Sequence, residues 1–455
     1  MKQSCLLFRK LSKLKQSLKV NAGFTLSHGS LLFLVALFIT FDSQQGFAQT
    51  GAKHLGVASC SASTCHGSNV RFADSNILRN EFRVWNESDP HARAFLTLLS
   101  DDSKRIAKNL GVESAEESAL CLGCHADSVL PEQQGEQFRV SDGVGCEVCH
   151  GAAEDYLDLH TNGDHQQNLK NGLYPSEDPH ARAQLCVSCH VGNDSNRKIT
   201  HEIMGAGHPR LSFELNTFSS IQPAHYLVDQ DYVERKGAIT ELQIWAMGQV
   251  VAAERFLENV VSFPKSGLFP ELVHMDCLGC HQEMSKITWT QNPLTKLPAG
   301  SLRYNDAYLM MSYQIASAVM PESASSLLAD INEFLSLPSD ARLLEATTKL
   351  KGRLAEIRLS LTENPIKNKQ GLSILSELID VGLASSHRDY AAAEQSAMAI
   401  NSVLKVLDAE NELTDTKREV VVGVNELFES LNDANRYRAD EFVRGLKKVR
   451  SLLDH

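Results

Sequence analysis

Apolar residues recur with a helical period along the C-terminal third of the chain. One stripe runs from Leu343 to Leu361 and a second from Tyr390 to Leu407, with apolar side chains every three or four positions. Helix breaks are expected at Pro321, Pro338, Pro365 and Gly371. The pattern therefore predicts six or seven helices within residues 300–455, packed as a bundle or as stacked hairpins.

Two longer helices are predicted upstream of this region. Residues 240–261 form an amphipathic pattern that the Thr240 side chain can cap at its N-terminus. Residues 101–120 form a charged helix with a break at Gly111. With the C-terminal region, these elements indicate a mainly α fold.

The hexapeptide D-P-H-A-R-A occurs twice, at residues 89–94 and 178–183. An aspartate followed by a proline is typical of a helix start, because Asp caps the first turn and Pro fits within it. Each copy therefore predicts a capped helix start, and the repeat is a weak sign of internal duplication.

Residues 121–190 show little periodicity and are rich in Gly, Asp, Asn and Gln. Such a segment cannot build a conventional core from its own side chains, so other apolar material has to supply the missing buried area. We predict a loop-rich domain over residues 49–290, followed by an α-helical domain over residues 291–455.

The N-terminus has the pattern of an export signal. Basic residues precede an apolar stretch from Leu31 to Phe41, and Gly46 and Ala48 place small residues before a possible cleavage site. We expect cleavage after Ala48, removal of residues 1–48 and a periplasmic location. An uncleaved anchor is the alternative, although the apolar stretch is short beside the ~20 residues of a bilayer span.

The charge of the chain narrows the classes of partner. The 455 residues carry a formal net charge of −12, and removal of the basic N-terminus makes the chain more acidic. Because nucleic-acid binding requires a basic surface, we expect no nucleic-acid partner. The acidity favours cationic partners or serves solubility alone.

Ten of the eleven cysteines fall in pairs, and a histidine follows each pair directly. Four pairs have the spacing C-x-x-C-H, and a fifth has four residues between its cysteines. The five signatures are Cys60, Cys65 and His66; Cys121, Cys124 and His125; Cys146, Cys149 and His150; Cys186, Cys189 and His190; and Cys277, Cys280 and His281.

This spacing is the signature of covalent c-type haem attachment. Two cysteines on one turn reach the two vinyl groups of a haem, and the following histidine becomes the proximal ligand of the iron. We predict five haems c, four of them from the C-x-x-C-H signatures alone. A disulfide is the alternative for Cys60 and Cys65. Zinc is disfavoured, because each run supplies three of the four ligands that zinc requires.

The histidine supply allows a second axial ligand for every iron. Nine further histidines lie between residues 54 and 281, and five haems with two imidazoles each require five of them. The predicted distal ligands are His91, His160, His201, His208 and His225. His180 and His274 lie so close to signatures that they would have to serve a different haem, and His54 and His165 are expected in solvent.

The signatures and three further motifs resemble the multihaem cytochromes c related to cytochrome c-554. These motifs are W-x-x-S-D-P-H-A-R-A at residues 85–94, D-G-V-G-C-E-V-C-H-G at residues 142–151 and G-H-P-R-L-S-F-E-L at residues 207–215. The resemblance covers about residues 50–290. It implies a mostly helical haem domain, closely stacked haem pairs and periplasmic electron transfer.

Two functions remain open at this point. As an electron carrier, the protein would pass electrons through bis-histidine haems between other redox proteins or membrane quinol and cytochrome complexes. As a reductase or oxidase of a small nitrogen or sulfur compound, it would need one haem with an open distal position. Arg93, Arg182 or Arg210 could then steady an anion, or could pair with haem propionates. The oligomeric state is left open.

The haem count predicts the mass of the exported protein. Cleavage after Ala48 and five attached haems should give the polypeptide mass of residues 49–455 plus five haem masses, read by intact mass spectrometry. Replacing Cys60 and Cys65 together with alanine should remove one haem mass. An unchanged mass in that variant would contradict attachment at the fifth signature.

Overall fold

A computed structural model describes most of the chain after residue 50. The described residues are 51–72, 77–162, 164–193, 195–263, 270–281, 294–295, 297–298, 301–337, 342–385, 389–409 and 417–453. The predicted signal peptide at residues 1–48 lies outside them. Gly51–His455 forms one compact unit.

The protein is mainly helical, which confirms the predicted fold class. Within the described residues, strand-like pairing is confined to two isolated bridges, His54 with Gln134 and Met275 with Tyr304. The helices are α1 (Glu81–Ser88), α2 (Ala94–Leu98), α3 (Asp101–Leu110), α4 (Ala119–His125), α5 (Cys146–His150), α6 (His165–Lys170), α7 (Pro179–His190), α8 (His201–Ala206), α9 (Leu215–Ile221), α10 (Gln230–Lys236), α11 (Glu241–Ser262), α12 (Ala307–Val319), α13 (Pro321–Leu335), α14 (Leu343–Glu363), α15 (Gly371–Ser385), α16 (Tyr390–Ala409), α17 (Lys417–Glu429) and α18 (Ala439–Leu453).

Local sequence signals explain several helix ends. The Thr240 hydroxyl accepts a hydrogen bond from Gln243 N–H, as expected for the cap of α11. Asp178 caps α7 by accepting from Ala181 N–H, whereas Asp89 opens a short 3₁₀ turn that runs into α2. The predicted charged helix is shorter than expected. It ends at Leu110, because Gly111 adopts the left-handed conformation that closes a helix.

Helix α11 is the centre of the main hydrophobic core. It packs against two helices that precede it in the chain, α7 and α9. It also packs against three helices that follow it, α12, α14 and α16. Its Leu242, Trp245 and Leu257 are completely buried. Complete burial of one large apolar side chain contributes roughly 1.5–3 kcal/mol to the stability of the fold. The same core therefore includes α7, which carries a signature, and the helices of the C-terminal region.

The N-terminal part of the unit buries much less apolar surface. Its own core cluster consists of Phe95, Leu98, Ala107, Ala115 and Ala126, with a few half-buried neighbours. Residues before Ala183 are absent from the buried set of the main cluster in the described part of the chain. This agrees with the expectation that the loop-rich region relies on other apolar material for its stability.

Seven helices, α12 to α18, lie in the described residues beyond 300. The stripe on α14 is buried as the periodicity predicts, with Leu350, Leu354, Ile357 and Leu361 at its centre. The expected break at Pro321 is present, because α12 ends at Val319 and Pro321 occupies the first position of α13. The predicted domain boundary near residue 290 stays a prediction. No helix of the described chain combines the length and apolar character needed to cross a bilayer.

The α14 stripe provides a test of the core. Leu354 is fully buried, and Leu354→Ala should lower the free energy of unfolding by about 2–5 kcal/mol through lost contacts and a cavity. Leu359 on the same helix is 55% exposed, so Leu359→Ala should change it by less than about 0.5 kcal/mol. Denaturant unfolding measures the free energy of unfolding of both variants. Equal losses in the two variants would contradict the burial of Leu354 in the core.

Candidate haem centres

Three of the five signatures end a helix. Helices α4 and α5 and the last turn of α7 each finish on the signature histidine, at His125, His150 and His190. One turn of helix places the two cysteines of a signature on the same side, since residues three apart are neighbours there. The Cys277 signature begins with a 3₁₀ turn, and the Cys60 signature is a series of turns.

The ten signature cysteines all lie in the described residues, and they form no disulfide there. Cys60 and Cys65 are among them, which argues against the disulfide considered for this pair. Four cysteines lie next to a cysteine of another signature: Cys60 is close to Cys146, and Cys124 is close to Cys189. The signatures are therefore clustered in space although they are spread along the chain.

Each signature histidine faces a second histidine ring. The partners are the five histidines predicted as distal ligands. The ring centroids are 6.1 Å apart for His66 and His160, 6.2 Å for His190 and His91, 6.5 Å for His125 and His208, 6.1 Å for His150 and His225, and 6.2 Å for His281 and His201.

This spacing fits an iron held between two imidazoles. Two metal–nitrogen bonds of about 2 Å place the nitrogens about 4 Å apart, and half of each ring adds roughly 1 Å at either end. The expected distance between centroids is then about 6 Å. The angles between ring planes range from 24° to 88°, and rotation about the axis through the iron leaves the spacing unchanged.

Hydrogen bonds orient several of these rings. The Nδ1–H of His66 donates to Glu81 at 3.0 Å, and that of His91 donates to Asp89 at 2.9 Å. Backbone carbonyls accept from three more, at Ala94 for His125, Leu157 for His160 and Pro209 for His208. An acceptor at Nδ1 fixes the tautomer and leaves Nε2 for a metal, as second-shell partners of histidine ligands commonly do.

Burial keeps two of the signature imidazoles neutral. Loss of hydration lowers the pKa of His150 to about 4, and the same effect lowers the pKa of His190 to about 4. A neutral imidazole is the form that binds a metal, so both rings are ready to act as ligands at neutral pH.

Two segments that carry these histidines expose large apolar side chains. Leu96 and Leu99 follow His91, while Ile221 and Val228 flank His225, and all four are more than 40% exposed. A porphyrin bound between the paired rings would cover apolar surface of this kind. The donor set and its surroundings therefore fit haem c.

The remaining histidines have other partners or positions. His54 Nδ1 pairs with Asp127 at 2.7 Å, and His165 Nε2 pairs with Glu177. Both rings are largely buried, so the expectation that they lie in solvent is wrong. His274 is buried against Phe263. His180 lies half-buried on α7.

Glu147, inside the third signature, is a site residue that sequence reasoning missed. Its buried carboxylate accepts from the backbone N–H groups of Leu55, Gly56 and Ala153, at 2.7–2.8 Å. It thereby ties the N-terminal segment to the turn that carries Cys146 and Cys149. The only local signal was an acidic residue between two signature cysteines, which is too weak to predict three distant donors.

The three arginines considered for anion binding are engaged by the protein. Arg210 forms an ion pair with Glu394 of α16 at 2.8 Å. Arg182 donates to the Ser176 carbonyl, and Arg93 donates weakly to the Glu87 carbonyl at 3.4 Å. Arg210, the arginine of the H-P-R motif, thus joins the haem region to the C-terminal helices.

Residues 59–151 match the model of a family described as cytochrome c554 and c-prime. The matched span holds the first three signatures and the motif at residues 85–94. This confirms the resemblance to multihaem cytochromes related to cytochrome c-554. The match supports a c-type cytochrome that binds haem c and takes part in electron transfer. No curated protein and no solved structure matches the chain.

Glu147 can be tested without reference to electron transfer. Glu147→Gln replaces one acceptor oxygen by an amide N–H group, which faces a backbone donor and leaves it unpaired. We expect a loss of about 1–3 kcal/mol in unfolding free energy, measured by denaturant titration. The exposed Glu154, which accepts from Lys53 N–H, is the control, and Glu154→Gln should cost less than about 0.5 kcal/mol. Equal effects would contradict the buried role of Glu147.

Proposed function

We propose that the protein is a periplasmic cytochrome with five haems c, each held between two histidines, that carries electrons between redox partners. The observation that carries this proposal is the pairing of all five signature histidines with a second imidazole at 6.1–6.5 Å. Five haems that each require two cysteines and two histidines would use all ten signature cysteines and all ten paired histidines.

The bound haem supplies an iron that gains and loses one electron, and the chain supplies everything else. Each pair of imidazoles would hold one iron, and two imidazole ligands would favour its low-spin state. Glu81 and Asp89 accept from Nδ1–H of their histidines, which makes those ligands more basic. The helices and signature turns fix the spacing between neighbouring attachment sites.

Contacts between signatures support two close haem pairs. Cys60 lies next to Cys146, which brings the first and third signatures together, and Cys124 lies next to Cys189, which brings the second and fourth together. Arg197 strengthens the second junction, because it donates to Gly123 O in one signature and to Ser188 Oγ in the other. Closely stacked pairs are also what the family resemblance implies.

Two further contacts connect these pairs and the fifth centre. Cys149 lies close to Cys186 and Cys189, which brings the third and fourth signatures together. His201 begins α8, and His208 lies just beyond its end, where its N–H donates to Ile203 O at 3.2 Å. They face His281 and His125, so this segment links the fifth signature to the second.

These contacts together support an electron path that does not follow the sequence order. It begins at the Cys60 signature, continues through the Cys146, Cys186 and Cys121 signatures and finishes at the Cys277 signature. The two ends of this path are the first and last signatures of the chain. We infer that the two redox partners exchange electrons near these ends, as soluble redox proteins or membrane quinol and cytochrome complexes.

The same geometry favours an electron carrier over an enzyme. An enzyme acting on a small nitrogen or sulfur compound needs one iron with an open distal position. A partner imidazole faces each of the five signature histidines, and the three candidate anion-binding arginines have protein partners. The export pattern of the N-terminal sequence supports the periplasmic location that we propose.

Electron paramagnetic resonance of the oxidised protein tests the closed coordination. We expect only low-spin ferric signals, unchanged by cyanide or hydroxylamine. His225→Ala should open the iron held by His150 and give a high-spin signal from one of the five haems that shifts with cyanide. A high-spin, cyanide-sensitive signal in the unmodified protein would contradict the electron-carrier proposal and favour the enzyme.

His165→Gln is the matched control. His165 also lies in the loop-rich region, but its Nε2 is committed to Glu177 rather than to another imidazole. Glutamine keeps a side-chain N–H for that carboxylate. The variant should therefore retain a purely low-spin spectrum, and a new high-spin signal would mean that His165 is an iron ligand.

A further inference from the structure

Arg303 lies at the centre of a buried group of charges next to the fifth signature. Its guanidinium forms ion pairs with Asp306 at 3.1 Å, Asp389 at 2.9 Å and Asp276 at 3.3 Å. The three carboxylates come from three segments: the first residue before α12, the residue before α16 and the residue before Cys277. We call these four residues the Arg303 cluster.

Backbone hydrogen bonds connect the Arg303 cluster to the turn that carries Cys277, which we call the attachment turn. Arg303 O accepts from Asp276 N–H at 3.0 Å, and Asn305 N–H donates to His274 O at 2.8 Å. Asp276 in turn caps the attachment turn by accepting from Leu278 N–H at 3.1 Å. Cys277, which would carry this haem, also lies close to Asp276 and Asp389. A change of charge at this haem would therefore change the electrostatic potential at the Arg303 cluster.

The cluster holds more negative than positive charge in a buried place. One guanidinium faces three carboxyl groups, and the Asp306 and Asp389 side chains are 3% and 8% exposed. Burial and like charges both disfavour ionisation, so three ionised carboxylates around a single cation are costly. Burial, with Asp389 and Asp276 nearby, raises the pKa of Asp306 to about 7, although Arg303 opposes the shift.

Neighbouring groups do not compensate this charge in the described part of the chain. Arg210 lies near Cys277 but is paired with Glu394. Burial lowers the pKa of His274 to about 4, so its ring is neutral at pH 7. Burial also raises the pKa of Tyr437, which interacts with Asp389 and stays a neutral phenol. Burial and Asp389 also raise the pKa of Asp276. Asp306 is the group of the cluster whose pKa is raised to about 7, so we assign the change of protonation near neutral pH to Asp306.

We propose that the Arg303 cluster takes up one proton from solvent, at Asp306, when the iron of the haem attached to Cys277 and Cys280 accepts one electron from a neighbouring redox centre. The proton compensates the positive charge that the ferric centre loses. When the electron leaves to a redox partner, the Asp306 carboxyl releases the proton again. This inference rests on the proposed function, since it requires a haem at the fifth signature.

The sign of the pH dependence follows from the charges. A ferric centre nearby favours the carboxylate, so the pKa of Asp306 is lower in the oxidised protein than in the reduced protein. Between these two pKa values, reduction binds a proton and becomes harder as the pH rises. Below the lower value and above the higher value, the potential of this haem should not depend on pH.

Spectroelectrochemical titration of the holoprotein from pH 5.5 to 8.5 tests the proposal. This range extends about 1.5 pH units to either side of the raised pKa of Asp306. At a fixed potential within the coupled range, the ratio of oxidised to reduced haem at one centre should rise up to about tenfold per pH unit. Asp306→Asn cannot titrate and should abolish this dependence. Reduced-minus-oxidised infrared spectra should show a protonated carboxyl band that the same variant lacks.

If the Asp306→Asn variant fails to fold, Asp389→Asn provides a second test of the same proposal. Removing one negative neighbour should lower the pKa of Asp306 and move the coupled range to lower pH. Asp330→Asn is the matched control, because Asp330 is also buried and ion-paired, with Lys349 and Arg353, but it connects α13 with α14. This variant should keep the pH dependence of the unmodified protein.

The outcomes separate this proposal from the proposed function. Replacing Cys277 and Cys280 with alanine should remove one haem mass and the pH-dependent component together. An unmodified protein without haem at these cysteines would overturn the five-haem assignment. If the Asp306→Asn variant kept the full pH dependence of the potential, the role of the Arg303 cluster would be overturned. The same holds if the pH dependence persisted in the variant that lacks this haem. Neither result would contradict five haems in the unmodified protein.

Discussion

The architecture depends on one geometric constraint, which is that imidazoles from separate segments must meet across about 6 Å. A signature supplies one ring from the end of a turn, but the second ring comes from a different segment in every case. His208 approaches His125 from beyond α8, and His225 approaches His150 from the loop after α9. The short helices and loops of the N-terminal region are arranged so that these rings meet, rather than to bury a large core of their own.

The C-terminal helices stabilise that arrangement from outside. Helix α11 packs on α7, which carries the fourth signature, and on three helices of the C-terminal region. Polar contacts follow the same junction, since Gln395 of α16 donates to Phe213 O and Arg210 pairs with Glu394. Phe213 itself stacks on the signature histidine His190, with centroids 4.6 Å apart. The C-terminal region therefore supports the position of at least one ligand ring.

Buried charge gives this region a second role in our proposals. Asp306 and Asp389 belong to the C-terminal region, and Arg303 brings them to the turn that precedes Cys277. Nothing in the periodicity of residues 300–455 distinguishes these residues from ordinary helix-end polar groups. The charge environment of the fifth attachment site thus comes largely from a region that carries no haem signature of its own.

The sequence by itself determined the attachment chemistry and the helical class. Thioether attachment and proximal ligation are local, so a run of five residues specifies them, and helical periodicity is equally local. The histidine supply made a second axial ligand possible for each iron. Only the tertiary structure decided which rings face each other, that Glu147 ties Leu55 to the third signature, and that Arg303 gathers three aspartates. Those contacts join residues far apart in the chain, and their energies depend on burial and distance, which no short stretch of sequence encodes.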